Sequence, residues 1–106
     1  MDKLNLLKNK FNQDILFIIE ESKKIGYNPS RFIQMFYENN NDGVLLATKL
    51  IPQKETDGYT TLWQKGRLDL TLEALVTQSK YNELFNPEII EIARKRLIKS
   101  GYKNFK

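Results

Sequence analysis

The stretch Gly58-Tyr59-Thr60-Thr61-Leu62-Trp63-Gln64-Lys65-Gly66-Arg67-Leu68-Asp69-Leu70-Thr71-Leu72-Glu73-Ala74-Leu75-Val76 decides how this chain is read. It holds the only tryptophan, two of the five glycines and the densest leucine run. Tyr59 to Lys65 reads as a short helix closed by Gly66. A tight connection from Gly66 to Asp69 leads into a second short helix lined by Leu72, Leu75 and Val76, with Asp69 or Thr71 as its cap. Trp63 has Leu62 beside it and Tyr59 one turn earlier, so it reads as a core anchor, because large aromatics dominate small cores. The alternative is an exposed platform on which a ligand stacks. Arg67 and Asp69 flank Leu68. They are either a charged pair presented to a ligand, or a cap (Asp69) whose arginine pairs with it or with Glu73.

Helical periodicity continues on both sides. Leu4, Leu7, Phe11, Ile15, Ile18, Ser22 and Ile25 recur at spacings of three and four and fall on one stripe of a helix. Asp2 caps its start, and Gly26 takes the left-handed position after its end. Asn9, Asn12 and Asp14 are weak helix formers and allow a break near residue 12. Leu16 and Phe17 lie off the stripe, either covered by other helices or forming a partner surface. Two further starts share one device. Asn28 is read as cap, Pro29 as first helical residue and Tyr27 as a clasp on Phe32; Asn86, Pro87, Phe85 and Ile90 repeat the arrangement.

The helix from Pro29 to about Glu38 turns Phe32, Ile33, Met35 and Phe36 inward. Asn39 to Gly43 reads as a loop, and a short helix from Val44 to Ile51 is stopped by Pro52. Pro52 to Gly58 is polar loop, and a turn around Tyr81 to Phe85 leads into the last helix, Pro87 to Ser100. That helix buries Ile89, Ile90, Ala93 and Leu97, and Gly101 ends it with Tyr102 against Leu97. No stretch sustains period-two alternation. The expectation is an all-α single domain over 1–106, a compact bundle of five or six helices around one core.

These blocks resemble an uncharacterised family of small bacterial domains. The pattern is Gly26-Tyr27-Asn28-Pro29, Arg31-Phe32 and Met35, then Gly58-Tyr59-Thr60-Thr61-Leu62-Trp63, Gly66-Arg67-Leu68-Asp69-Leu70-Thr71 and Glu73-Ala74-Leu75-Val76. It closes with Leu84-Phe85, Ile92-Ala93-Arg94, Arg96-Leu97 and Gly101-Tyr102, and covers about residues 25–102. The resemblance implies no catalytic residue and no ligand.

Composition limits the chemistry. The 41% hydrophobic and 28% charged fractions are those of a folded globule, so disorder is not expected. A chain of 106 residues buries roughly 65% of its unfolded surface, enough for a core without disulfides or metal. Cysteine and histidine are both missing, which removes thiolate chemistry, the commonest general base and the commonest metal ligand. Acids such as Glu20-Glu21, Glu55 with Asp57, and Glu88 with Glu91 read as solvated charge. A carboxylate–lysine nuclease set of Asp69, Glu73 and Lys80 is conceivable, but its spacing is not diagnostic. No Gly-rich phosphate loop precedes a Lys-Ser or Lys-Thr pair. The expectation is therefore no catalysis, no cofactor and no metal. Apolar runs are far shorter than the ~20 residues a bilayer requires, and the Met-Asp-Lys-Leu-Asn start lacks a secretory layout, so a cytoplasmic protein without membrane contact is expected.

The net charge of +4 is unevenly placed. Residues 1–93 carry eleven Lys or Arg against thirteen Asp or Glu, a balance of −2. Residues 94–106 carry Arg94, Lys95, Arg96, Lys99, Lys103 and Lys106 with no acid, a balance of +6. With Tyr102 and Phe105 interleaved, this end suits contact with nucleic-acid backbone. Cations also belong at a helix C-terminus, where they answer the dipole. The two functional expectations are a nucleic-acid-binding module using Arg94, Lys95, Arg96, Lys99, Tyr102, Lys103 and Lys106, or a protein-interaction adaptor using Leu16 and Phe17.

Overall fold

The computed structural model describes residues 2–106. Six α-helices follow in order: α1 Lys3–Lys24, α2 Ser30–Glu38, α3 Gly43–Leu50, α4 Asp57–Gln64, α5 Leu72–Val76 and α6 Pro87–Lys99. Two 3-10 turns, Leu68–Leu70 and Ser79–Leu84, flank α5, and the described residues contain no strand. The fold is the expected all-α bundle.

The quoted stretch is its centre. Every residue of α5 is buried, and α5 packs against α6, α1 and the 3-10 turn before it. Phe11, Ile15, Ile18 and Ile19 of α1 meet Leu46, Ala47 and Ile51 on one side and Leu72, Leu75 and Val76 on the other. The Phe11 ring stands edge-on to Tyr81 and Phe85, at centroid distances of 5.0 and 5.2 Å. Such pairs add to the energy of area burial alone. A smaller cluster of Tyr59, Leu68, Ala74 and Leu97 lies beside this core, covered by Tyr102 and Phe105.

α1 is unbroken, and two of its weak helix formers, Asn12 and Asp14, are tied to other elements. The Asn12 side chain accepts the Gly43 N–H at 2.7 Å. Asp14 accepts the Tyr81 hydroxyl and lies 3.6 Å from the Lys80 amine. The propensity lost at these positions is offset by contacts that fix α3 and the second 3-10 turn on α1.

The ends of the helices largely follow the sequence reading. Asp2 caps α1, and Asn86 with Pro87 opens α6; Asp42 and Thr56, which fall in segments read as loop, cap α3 and α4. Gly26, Gly66 and Gly101 all have positive φ. In each case the next residue's N–H returns to a carbonyl five positions back, closing a Schellman ending. α2 differs. Its N-cap is Pro29, whose ψ of 56° is not helical, and no side chain bonds the first amides, so Asn28 is not the cap.

Asp69 is not the cap of α5 either. Thr71 Oγ1 accepts the Ala74 N–H at 3.1 Å, while its own hydroxyl donates to the Leu68 carbonyl at 2.7 Å. Asp69 sits inside the 3-10 turn in a two-bond pair with Arg67, both at 3.0 Å. Thr71→Ala is therefore expected to cost about 1–2 kcal/mol, and Asp69→Ala no more than about 1 kcal/mol, as for an exposed ion pair. Thermal denaturation of the two variants checks the order; a larger loss from Asp69→Ala would return the cap to Asp69.

Candidate functional site

α6 delivers its cations to three different environments. The buried stripe Ile89, Ala93 and Leu97 fixes the rotation of the helix, leaving Lys95 and Lys99 in solvent. Arg94 reaches back 3.8 Å to Glu91 and holds its guanidinium carbon 5.7 Å from the centre of the Phe105 ring. Arg96 turns inward. Its Nη1 donates to Glu73 Oε2 at 2.9 Å, and its Nη2 donates to the Ile51 and Gln53 carbonyls at 3.1 and 2.7 Å. With side-chain exposures of 12% and 9%, Arg96 and Glu73 form an interior pair. Arg96 is thus committed to the interior and withdrawn from the surface set.

Beyond Gly101 the chain folds back onto the bundle. Tyr102 and Phe105 stack edge to face at 5.0 Å over Leu68 and Leu97, and the Ser79 N–H donates to the Lys106 carbonyl at 2.9 Å. These two rings cover the smaller core, so the interleaved aromatics expected to meet bases face the protein. Burial raises the Tyr102 hydroxyl above its usual pKa, with Asp69 adding to the effect. Lys103 and Lys106 remain exposed. Lys95, Lys99, Lys103 and Lys106 have no acidic partner within ion-pair distance among the described residues.

Trp63 corrects the reading of a core anchor. Tyr59 and Leu62 occupy the buried face of α4, and Trp63 lies one step beyond it, with 51% of its surface open. Its indole N–H donates to the Ser100 carbonyl at 3.1 Å. That bond ties α4 to the C-terminal end of α6. The ring lines a groove of about 630 Å³ together with Gly66, Gly101, Lys103, Asn104 and Lys106. Asp69 is the one acid in that lining. Its hydrogen bond with Arg67 holds the carboxyl below its usual pKa and balances its charge.

A second concavity, about 590 Å³, opens on the other side of α4. Tyr27, Phe32, Tyr59, Leu62, Glu73 and Arg96 line it, drawing on five of the sequence blocks quoted above. Burial raises the Glu73 carboxyl above its usual pKa, and the attraction of Arg96 opposes that without overcoming it. The Glu73 carboxylate is occupied by the guanidinium, and Arg31, Lys54, Glu55 and Asp57 add further charged groups to the lining.

The nuclease set does not assemble. Glu73 pairs with Arg96, Asp69 with Arg67, and Lys80 with Asp14. Among the described residues no three acidic side chains are gathered as metal ligands, and no helix is long and apolar enough to cross a membrane. Leu16 and Phe17 stand on the outer side of α1, 53% and 60% exposed, with no element of the chain over them. Comparison of the chain with protein-family models, with curated proteins and with solved structures gives no match.

Proposed function

We propose that this chain is a non-catalytic binding module that associates with nucleic acid through the surface formed by the end of α6 and the segment after it. The observation that carries this reading is the set of four exposed lysines, Lys95, Lys99, Lys103 and Lys106, none of them in an ion pair among the described residues. Unpaired ammonium groups release condensed counterions from a phosphate backbone, and this supplies affinity without reading sequence. Arg94, shared between Glu91 and Phe105, contributes at the margin.

Four engaged phosphates give a slope of log affinity against log salt of roughly −3 to −4 on duplex. Titration across a salt series should give that slope, and charge reversal at Lys99 and Lys103 should abolish binding. The absence of binding at low salt overturns the reading. The protein-adaptor reading rests on the exposed pair Leu16 and Phe17. Phe17→Glu separates the two: nucleic-acid binding is unaffected by it, whereas a protein contact at α1 is lost.

A further inference from the structure

We infer that Trp63 is the stacking platform for an unpaired base, so that the ligand of this surface is single-stranded nucleic acid. The inference rests on the cationic surface proposed above and adds to it the class of strand. A half-exposed indole is an unusual place to leave the largest apolar side chain of a small protein. It is not loosely held. The N–H is fixed on the Ser100 carbonyl, so the ring has already lost much of the rotamer freedom that binding would otherwise cost.

Cationic side chains stand beside the ring in an open, shallow groove. Lys103 and Lys106 line the groove with Trp63, and Lys99 precedes the residue that holds the indole. Gly66 and Gly101 take part in the same lining, and a Cβ on either would meet nothing within 4 Å, so the groove is open beside them. Asp69 would repel phosphate but is paired with Arg67. Bases in a duplex are stacked on one another and present no face to a protein ring. A single strand presents every base to one, whatever its sequence.

Because Trp63 is the only tryptophan, its emission reports on this site alone. The experiment titrates the whole chain at low salt with an oligothymidine of about 12 nucleotides, within the usual site sizes of such grooves, and with a duplex of the same length. The expected result is quenched emission with the single strand and tighter binding of it than of duplex. Trp63→Leu should weaken single-strand binding by roughly 5- to 150-fold and so remove most of the preference for it over duplex. Trp63→Phe, which loses the N–H bond but keeps a ring, should retain part of the preference, so loss of the Ser100 bond does not account for the effect. Binding of both strands with equal affinity, or a single-strand affinity that Trp63→Leu does not alter, overturns the stacking platform and leaves the cationic surface standing. Failure to bind either strand overturns both.

Discussion

Arg96→Met is expected to lower folding stability by roughly 3–5 kcal/mol, because it strands a buried carboxylate. The Arg96 guanidinium joins three parts of the fold: Glu73 in α5 and the carbonyls of Ile51 and Gln53 at the end of α3. Against a total stability of ~5–15 kcal/mol for a domain, the variant approaches unfolding. The loss should depend on pH. Burial already raises the Glu73 carboxyl, with Arg96 opposing and Glu55 reinforcing the shift, and removing the arginine raises it further. A carboxyl raised in the folded state holds its proton more tightly there than in the unfolded chain. Its contribution to stability is present below the unfolded value near ~4.3 and is lost as pH rises through the folded one. The deficit of Arg96→Met relative to the native chain should therefore be largest at neutral pH and shrink towards pH ~4. Adding Glu73→Leu removes the stranded charge, and the double variant should recover much of the loss. Denaturant melts of the three variants at two pH values check this. A deficit that does not change with pH would mean that the lost carbonyl bonds, and not the carboxylate, carry the effect.

What the sequence made legible divides along physical lines. Interactions made within a few residues were readable: the Asp2 and Asn86 caps, the glycine endings at Gly26, Gly66 and Gly101, and the buried stripe of α6. Each depends on residue type at a fixed offset, which is what a sequence displays. The misread caps at Asn28 and Asp69 were local, lost to Pro29 and Thr71 close by, whereas the larger misreadings needed a partner far along the chain. Trp63 reads as inward on size, yet it lies one step beyond the Tyr59–Leu62 face and bonds the Ser100 carbonyl, 37 residues away. Arg96 belongs by position to the flank of the buried stripe, as Arg94 does, and only Glu73, 23 residues earlier, draws it inside. The buried stripe of α6 already turns Lys95 and Lys99 into solvent and leaves Arg94 and Arg96 on its flanks; what was not legible is the tail folding back over Leu68, which turns Tyr102 and Phe105 inward. At Asn12 and Asp14 the local signal had the wrong sign. Their poor helix propensity suggested a break, and their bonds to Gly43 and Tyr81 are the reason they are tolerated.

Gly43 supports the second large effect, and its reason is steric. It opens α3 and does not have a left-handed φ, so conformation alone does not require glycine there. On helix propensity, alanine would gain about 0.5–1 kcal/mol. The contact with α1 reverses the sign. A Cβ on Gly43 would stand 2.7 Å from Asn12 Oδ1, 3.0 Å from Phe11 Cδ2 and closer still to Ile15 Cδ1. Phe11 and Ile15 are fully buried, so neither can swing into solvent. Asn12 cannot retreat without loosening its bond to the Gly43 N–H. Gly43→Ala is expected to cost about 3 kcal/mol, the upper end for overpacking a dense core. Ile15→Val provides the check, since it deletes only Cδ1, the atom most severely met. Alone it should cost about 0.5–1.5 kcal/mol. In combination the two changes should couple favourably by roughly 1–3 kcal/mol, leaving the double variant more stable than Gly43→Ala. Strict additivity in chemical denaturation would show that α3 moves aside as a unit, and that the α1–α3 contact is not the close seam on which this account depends.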